Sequence, residues 1–387
     1  MQQLQAVTPD RYARTRNYLN GAVTGLSPYL THGLLTPIDV LSYLLQQQSL
    51  PVQHKLVQEL GWREYYHHIW GHLGDGILKS LHAGPLPENV YDDVLPPDVR
   101  NGSTGLPVID EAVRTLYTSG TLHNHARMWL ASYIVHLRRI HWRAGAGWLV
   151  SHLLDGNLAS NHLSWQWIAG TGSHKPYLFN AANVARYAPP SWHSTGSVID
   201  CSYAELDTMS RSVHAVTCGG AGIQALVEPD LLKRPPTALE VDVPDAVQGM
   251  SLAGREVWLL HPWSIRIPPA DLPADTIVIG LYLRDYHDDR PWTEERWHWV
   301  DNAMCEVTPL RWWVDAQTLG VLLNSAGRVR SVWDPHLAEW LPRFAELDSA
   351  PALFRTIDRP CRSFSQWWKR VSENMVDAAS LLEHSNR

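Results

Sequence analysis

Asn124, Arg127 and Met128 stand at i, i+3 and i+4 in HNHARM, and Ser160, Leu163 and Ser164 repeat that spacing in ASNHLSW, where Asn161 and Trp165 are also one turn apart. On helices these spacings put amides, a charge and large soft or flat groups on one face. A core-facing helix carries apolar groups there. The mixture suits a large, flat ligand with polar edges. Arg127 and Asp155 are opposite charges in the segments flanking this cluster and are placed to pair under a ring edge. Asn161 then offers a ring nitrogen an amide that donates or accepts. Asp155-Gly156-Asn157 also reads as a simple turn.

Glu59, Trp62 and Arg63 share a face within QELGWREYYHH. That places a stacking platform beside a charge able to hold phosphate, or describes a surface helix with a Glu/Arg pair. Thr24-Gly25-Leu26-Ser27-Pro28 precedes a predicted helix, so its hydroxyls and free N–H groups suit a diphosphate. A Ser N-cap followed by Pro explains the same residues. Trp142 and Trp165 suit electron hopping, although core packing accounts for most of the 19 tryptophans. Arg138, Arg139 and Arg143 form a local basic cluster able to meet phosphates, or a solvated helix end. Histidines 123, 125, 136, 141, 152 and 162 show no metal-ligand spacing.

The elements that must position these residues are helical from about 10 to 190. Thr36-Pro37 opens IDVLSYLLQQQ as an N-cap followed by Pro. Helices are predicted over 53–73, Asp110–Tyr117, Thr121–Ile140, Ala146–Leu154 and Ser160–Ala169, with a loop over 84–107 and a stop at Pro189-Pro190. Residues 196–252 lack periodicity and read as a linker or irregular crossover. Beyond them Val257–Leu260, Thr276–Tyr282 and Trp312–Val314 are short β-type runs. Helical stretches at Glu294–Cys305 and His336–Phe344 alternate with them, as in a small α/β domain with a parallel sheet.

Bulk properties narrow the function. At 387 residues, 45% hydrophobic and 18% charged, the chain is long enough for two or three globular domains. A net charge of −7 means that any nucleic-acid contact must rest on a local basic patch. Cys201, Cys218, Cys305 and Cys361 have no C-x-x-C spacing and read as free thiols in a reducing compartment. The N-terminus lacks an apolar signal region, and no apolar run reaches the ~18 residues of a membrane span. A cytoplasmic location is expected.

Taken in order, TGLSPYLTHG (24–33), ELGWREYY (59–66), TGLPVIDEAVRTL (104–116), HNHARM (123–128), HWR (141–143), DGNLASN (155–161) and WQWIAGTG (165–172) resemble the FAD-binding helical domain of the DNA photolyase/cryptochrome family. The resemblance implies FAD held in a helical bundle. Tyr12, Thr24, Leu26, Ser27 and Arg63 would bind it at and around the phosphates, and Asn124, Arg127, Asp155, Asn157 and Asn161 would line the flavin. Trp165 and Trp142 match the first two members of the family's photoreduction chain; Trp129 and Trp148 are the candidates for a third. Glu59, Trp62, Asn124, Met128 and Trp167 match the pocket for cyclobutane pyrimidine dimers. Asn124 and Met128 stand where relatives that repair 6-4 photoproducts carry histidines.

The family usually opens with an α/β domain. Here REVWLLHPWSIR (255–266), IVIGLYLRDYHDDRPWTEERW (277–297) and CRSFSQWWKRV (361–371) resemble a degenerate form of it placed last, as in a circular permutation. The expected architecture is α + α/β: an all-helical FAD-binding domain over 1–195, a linker over 196–252 and a small Rossmann-like domain over 253–387. Gly25 replaces a common Arg, Asn157 a flavin-facing Asp, and His125 a phosphate-binding Arg, which makes DNA affinity weaker and pH-dependent. The expected function is light-driven repair of pyrimidine dimers in UV-damaged DNA. A blue-light photoreceptor without repair activity is the alternative, and a non-photoactive flavoprotein a third reading. The antenna chromophore and oligomeric state are not legible.

Overall fold

A computed structural model describes residues 2–173, 175–218, 224–244 and 252–385, so parts of the 196–252 segment lie outside the described residues. The chain forms two compact units. One comprises residues 1–25, 50–229 and 356–378, the other 26–49, 230–355 and 379–387.

The first unit is helical. Its functional face uses α1 (Lys55–Leu73), α2 (Pro107–Ser119), α3 (Asn124–Ser132), α4 (Trp142–His152) and α5 (Leu158–Ala169). Each of α1, α3, α4 and α5 starts where a His or Asn side chain accepts a backbone N–H: His54, His123, His141 and Asn157. Such a cap satisfies one of the N–H groups that a helix start leaves open. The predicted single helix over 121–140 is instead α3 followed by a π turn at Tyr133–Leu137. Arg139, in the left-handed region at φ 56°, ends it, and Ile140 then pairs with Asp92. Helix α4 starts four residues earlier than its apolar pattern suggested, because His141 caps it.

The described residues 196–218 and 224–229 belong to this helical unit. They carry a helix, Tyr203–Ser210, opened by a Ser202/Glu205 capping box. Val216 N–H donates to Leu137 O at 2.7 Å and Leu226 N–H to Asn101 O at 2.8 Å. Glu228 accepts from Trp148 Nε1 at 2.9 Å, contacts His152 Nε2 at 3.1 Å and pairs with Arg100. Isolated contacts of this kind leave no sequence period.

The second unit holds a parallel sheet of β1 (Glu256–Leu260), β2 (Ile277–Leu283), β3 (Arg311–Val314), β4 (Arg328–Val332) and β5 (Glu346–Asp348), in spatial order β3-β2-β1-β4-β5. The interior strand β2 is the continuous apolar run IVIGLYL, as expected for a strand covered on both faces. Gly280 lets the helix Glu294–Cys305 approach: a Cβ there would lie 2.4 Å from Met304 Sδ. Strands β4 and β5 escaped the sequence reading because RVRSV and ELD are polar. Arg330 pairs with Asp271 and Asp348, and Arg328 pairs with Glu346. The predicted helix over His336–Phe344 is two 3₁₀ turns, Pro335–Leu337 and Leu341–Arg343, since Pro342 breaks an α-helical ladder.

The strand order reverses between β1 and β4, the position where open α/β sheets hold ligands beyond the strand ends. Here that crevice is filled by the protein's own side chains. His261 Nε2 contacts Val332 O at 2.9 Å, and the Trp263 and His336 rings stack at 4.2 Å and 7°. Asp334 holds His336 Nδ1 at 2.6 Å.

Candidate functional site

The site grows from α3, α4 and α5 with α1 against them. Arg127, on α3, points one guanidinium nitrogen, Nη2, at both oxygens of Asp155, at 2.9 and 2.8 Å. Its Nε donates to Leu122 O at 2.7 Å. The pair therefore spans the turn before α5, so Asp155 is at once a turn residue and an ion-pair partner. Arg127 Nη1 has no hydrogen bond among the described residues and remains for a ligand. Asn161 is buried and donates Nδ2 to Ala146 O of α4 at 2.7 Å. Its Oδ1 accepts no hydrogen bond among the described residues.

Asn157 is buried and serves two elements. Its Oδ1 accepts from Ser160 N–H at 3.1 Å as the α5 cap, while Nδ2 meets His67 Nε2 of α1 at 3.2 Å. Ser164 donates to Tyr66 Oη at 3.3 Å one turn on. Burial pushes the Tyr66 hydroxyl up to about 12, so it stays neutral. His67 and Tyr66 lie eight and seven residues after Glu59 on the same helix; that spacing, continuing the Glu59/Trp62/Arg63 face, was the signal for them.

Glu59 and Tyr12 meet around Arg16, which the sequence reading missed. Arg16 Nη1 lies 2.9 Å from Glu59 Oε1. Burial raises the Glu59 carboxyl, with Arg16 and Lys55 opposing it. Burial, followed by the nearby Glu59, raises the Tyr12 hydroxyl. Trp62 is half-buried, with one ring face stacked on Phe364 at 3.9 Å and 9°. Phe364 opens the helix Phe364–Val371, remote in sequence from α1. Arg63 is half-buried on α1.

Asn124 is exposed, with Nδ2 3.6 Å from Met128 Sδ. Trp167 is 44% exposed and its ring lies 5.6 Å from that of Tyr177, so a face of this indole reaches solvent. Trp165 and Trp142 are buried. Trp165 fits against Gly145, where a Cβ would lie 2.3 Å from its ring. Trp142 Nε1 donates to Ser80 Oγ at 2.9 Å.

Other expectations come apart. Leu26, not Ser27, is the N-cap of the helix Ser27–Thr31, which has only five residues. Thr24 belongs to the helical unit, Leu26 and Ser27 to the other. Gln3 Nε2 donates to Thr24 O at 3.1 Å. The arginine cluster is not a phosphate patch: Arg138 pairs with Asp98 at 2.6 Å, and the buried Arg139 donates to His136 O and Met209 O. Only Arg143 is exposed. His125 lies among Trp129 and Tyr187, where burial, then Arg16, lowers its pKa. Among the described residues no group of His, Cys, Asp and Glu is placed to hold a metal, and no helix is long and apolar enough to cross a membrane.

The family described as the FAD binding domain of DNA photolyase matches residues 56–199, which contain α1 through α5 from Leu56 onward. Residues 56–199 are therefore similar to the FAD-binding domain of DNA photolyases. A deoxyribodipyrimidine photo-lyase of Synechococcus sp. is 39% identical over 134 residues, 33% of this chain and 27% of that protein. One from Vibrio cholerae is 33% identical over 178 residues, 43% of this chain and 38% of that protein. One from Streptomyces griseus is 31% identical over 153 residues, 39% of this chain and 33% of that protein. The chain spans only about a third of the length of these relatives.

The donor set fits the ring end of FAD. An isoalloxazine edge alternates acceptors with one N–H, and the domain presents it with both kinds of group. Arg127 retains a donor, Asn161 an acceptor, and the buried Asn157 amide is oriented by His67 and Ser160.

Proposed function

We propose that this protein binds FAD in its helical unit and uses blue or near-UV light to split cyclobutane pyrimidine dimers in DNA. The observation that carries the reading is the Arg127–Asp155 pair together with the buried Asn161, both within the matched domain. Reduced FAD, when bound, supplies light absorption and the transferable electron. The chain's residues do the rest. Arg127 and Asp155 orient the ring edge, Asn161 faces its central nitrogens, and Asn157 replaces a charge with an amide. Tyr12 and Arg63 line the approach to the phosphates.

On the DNA side, a dimer must leave the duplex to reach these groups. Trp167 offers an open stacking face, and Asn124 lies against Met128 on α3. Glu59, whose carboxyl is raised by burial with Arg16 and Lys55 opposing, hydrogen-bonds the dimer. Trp165 and Trp142 pass electrons inward to restore the reduced cofactor. The strand order β3-β2-β1-β4-β5 supports reading the second unit as a permuted counterpart of the family's α/β domain.

A second reading, a blue-light photoreceptor without repair, is favoured by two contacts. Phe364 already covers one face of Trp62, and Arg16 already holds Glu59. One experiment separates the readings. FAD-loaded, reduced protein is given an oligonucleotide bearing a single thymine dimer, in light and in darkness. Repair only in light supports the photolyase. Absence of repair with reduced flavin bound overturns it and leaves the photoreceptor.

A further inference from the structure

Photoreduction by buried tryptophans needs a last donor that meets solvent, or the charge returns inward. Neither expected tryptophan provides one. Trp129 is fully buried with its N–H on Asn183, and Trp148 is buried with its N–H on Glu228. Among the described residues neither ring contacts Trp142 or Trp165.

Trp142 instead lines a small cleft with Tyr91, His141, Glu88 and Ser80. Backbone pairing fixes this arrangement. Asp92 N–H donates to Arg139 O at 2.8 Å, and His141 N–H returns to Asp92 O at 2.8 Å. Tyr91 is thereby held beside the segment that begins α4. Its ring centre lies 6.4 Å from that of His141, which lies 5.6 Å from that of Trp142. Tyr91 is half-buried, whereas Glu88 at the cleft mouth is 66% exposed and reaches within 3.9 Å of His141 Nε2.

From this geometry we propose that Tyr91 is the terminal electron donor of the chain Trp165–Trp142–Tyr91. The inference rests on the light-driven flavin reading above. Trp165 gives one electron to the photoexcited oxidised flavin, Trp142 refills Trp165, and Tyr91 refills Trp142. As it is oxidised, Tyr91 releases its phenolic proton to water at the cleft mouth, beside Glu88 and His141. The products are one electron on the flavin, one proton in solvent and a neutral Tyr91 oxygen radical. Burial raises the hydroxyl of the neutral Tyr91, with the Arg139 cation opposing it. Loss of the proton makes return of the electron slow.

The test is flash photolysis of the FAD-loaded full chain, with optical and electron-spin-resonance identification of the long-lived radical. The wild type is expected to end on a tyrosyl radical. Tyr91→Phe should lose that signal and shorten the charge-separated state, which then recombines from Trp142. Tyr91→Trp should restore a long-lived signal with a tryptophanyl spectrum. A long-lived tryptophanyl radical in the wild type, or an unchanged lifetime in Tyr91→Phe, overturns the inference alone. No light-induced radical in the wild type, matching Trp165→Phe, overturns the inference together with the electron path beneath it.

Discussion

The segment 124–169 of the helical unit and the α/β unit use tryptophan in opposite ways. Over residues 124–169 of the helical unit the indoles stand apart, and three have their N–H fixed on a side-chain oxygen: Trp129 on Asn183, Trp142 on Ser80 and Trp148 on Glu228. No ring contact among the described residues joins two of Trp129, Trp142, Trp148, Trp165 and Trp167. In the α/β unit Trp263, Trp292, Trp297 and Trp313 form one contacting cluster with His287 and His336. There the closest pair, Trp292 and Trp297, lies 4.8 Å apart, and the buried N–H of Trp263 has no partner among the described residues. Separated, polar-anchored rings suit charge relay and ligand contact. A condensed cluster suits packing, and its Trp263–His336 stack fills the crevice where such a sheet would take a ligand.

The largest expected effect tests the packing side. Trp297 is fully buried in the cluster, so Trp297→Ala should cost about 4 kcal/mol on denaturant unfolding. Bound flavin should change little per folded molecule. A loss under ~1 kcal/mol would refute the packing role.

Next comes a pair of glycines on α4. A Cβ at Gly145 would meet Trp165 at 2.3 Å, while one at Gly147 meets nothing within 4 Å. Gly145→Ala should cost about 2 kcal/mol and disturb flavin photoreduction. Gly147→Ala should stabilise α4 by up to about 1 kcal/mol. Equal effects at the two positions would mean that Trp165 is not held by that contact.

A smaller effect concerns the segment over the helical unit. Burial raises the Glu228 carboxyl, but hydrogen bonds from His152, Arg100 and Trp148 outweigh it and hold it down at about 2, against an ordinary 4.5. A depressed carboxyl stabilises above its ordinary value, and that contribution fades as pH falls toward the folded value. Glu228→Gln should therefore lower Tm at pH 7, with the gap to wild type closing between about pH 4.5 and 2. A gap independent of pH would place the effect outside the ionisation of Glu228.

The smallest concerns His125, kept neutral near pH 7 by burial and Arg16. If this residue faces duplex phosphate, His125→Arg should steepen the slope of log K against log salt by about 0.9. An unchanged slope removes it from the DNA surface.

What was legible in the sequence follows from range. The Arg127–Asp155 pair and the α1, α4 and α5 faces depend on helical spacing and one turn, and their residues announce both. Strands β1 to β3 show as apolar runs. The stack of Phe364 on Trp62 joins positions some three hundred residues apart, and nothing local marks it. Arg138 and Arg139 look like a surface patch until their internal acceptors are seen. Strands β4 and β5 hide because ion pairs, not apolar side chains, join them.

The central claim is that separated tryptophans carry electrons and clustered ones carry packing. The most direct measurement is the yield of flavin photoreduction in FAD-loaded Trp165→Phe and Trp297→Phe, each compared with wild type. The account predicts loss of photoreduction in Trp165→Phe and wild-type yield in Trp297→Phe. Wild-type yield in Trp165→Phe would contradict it.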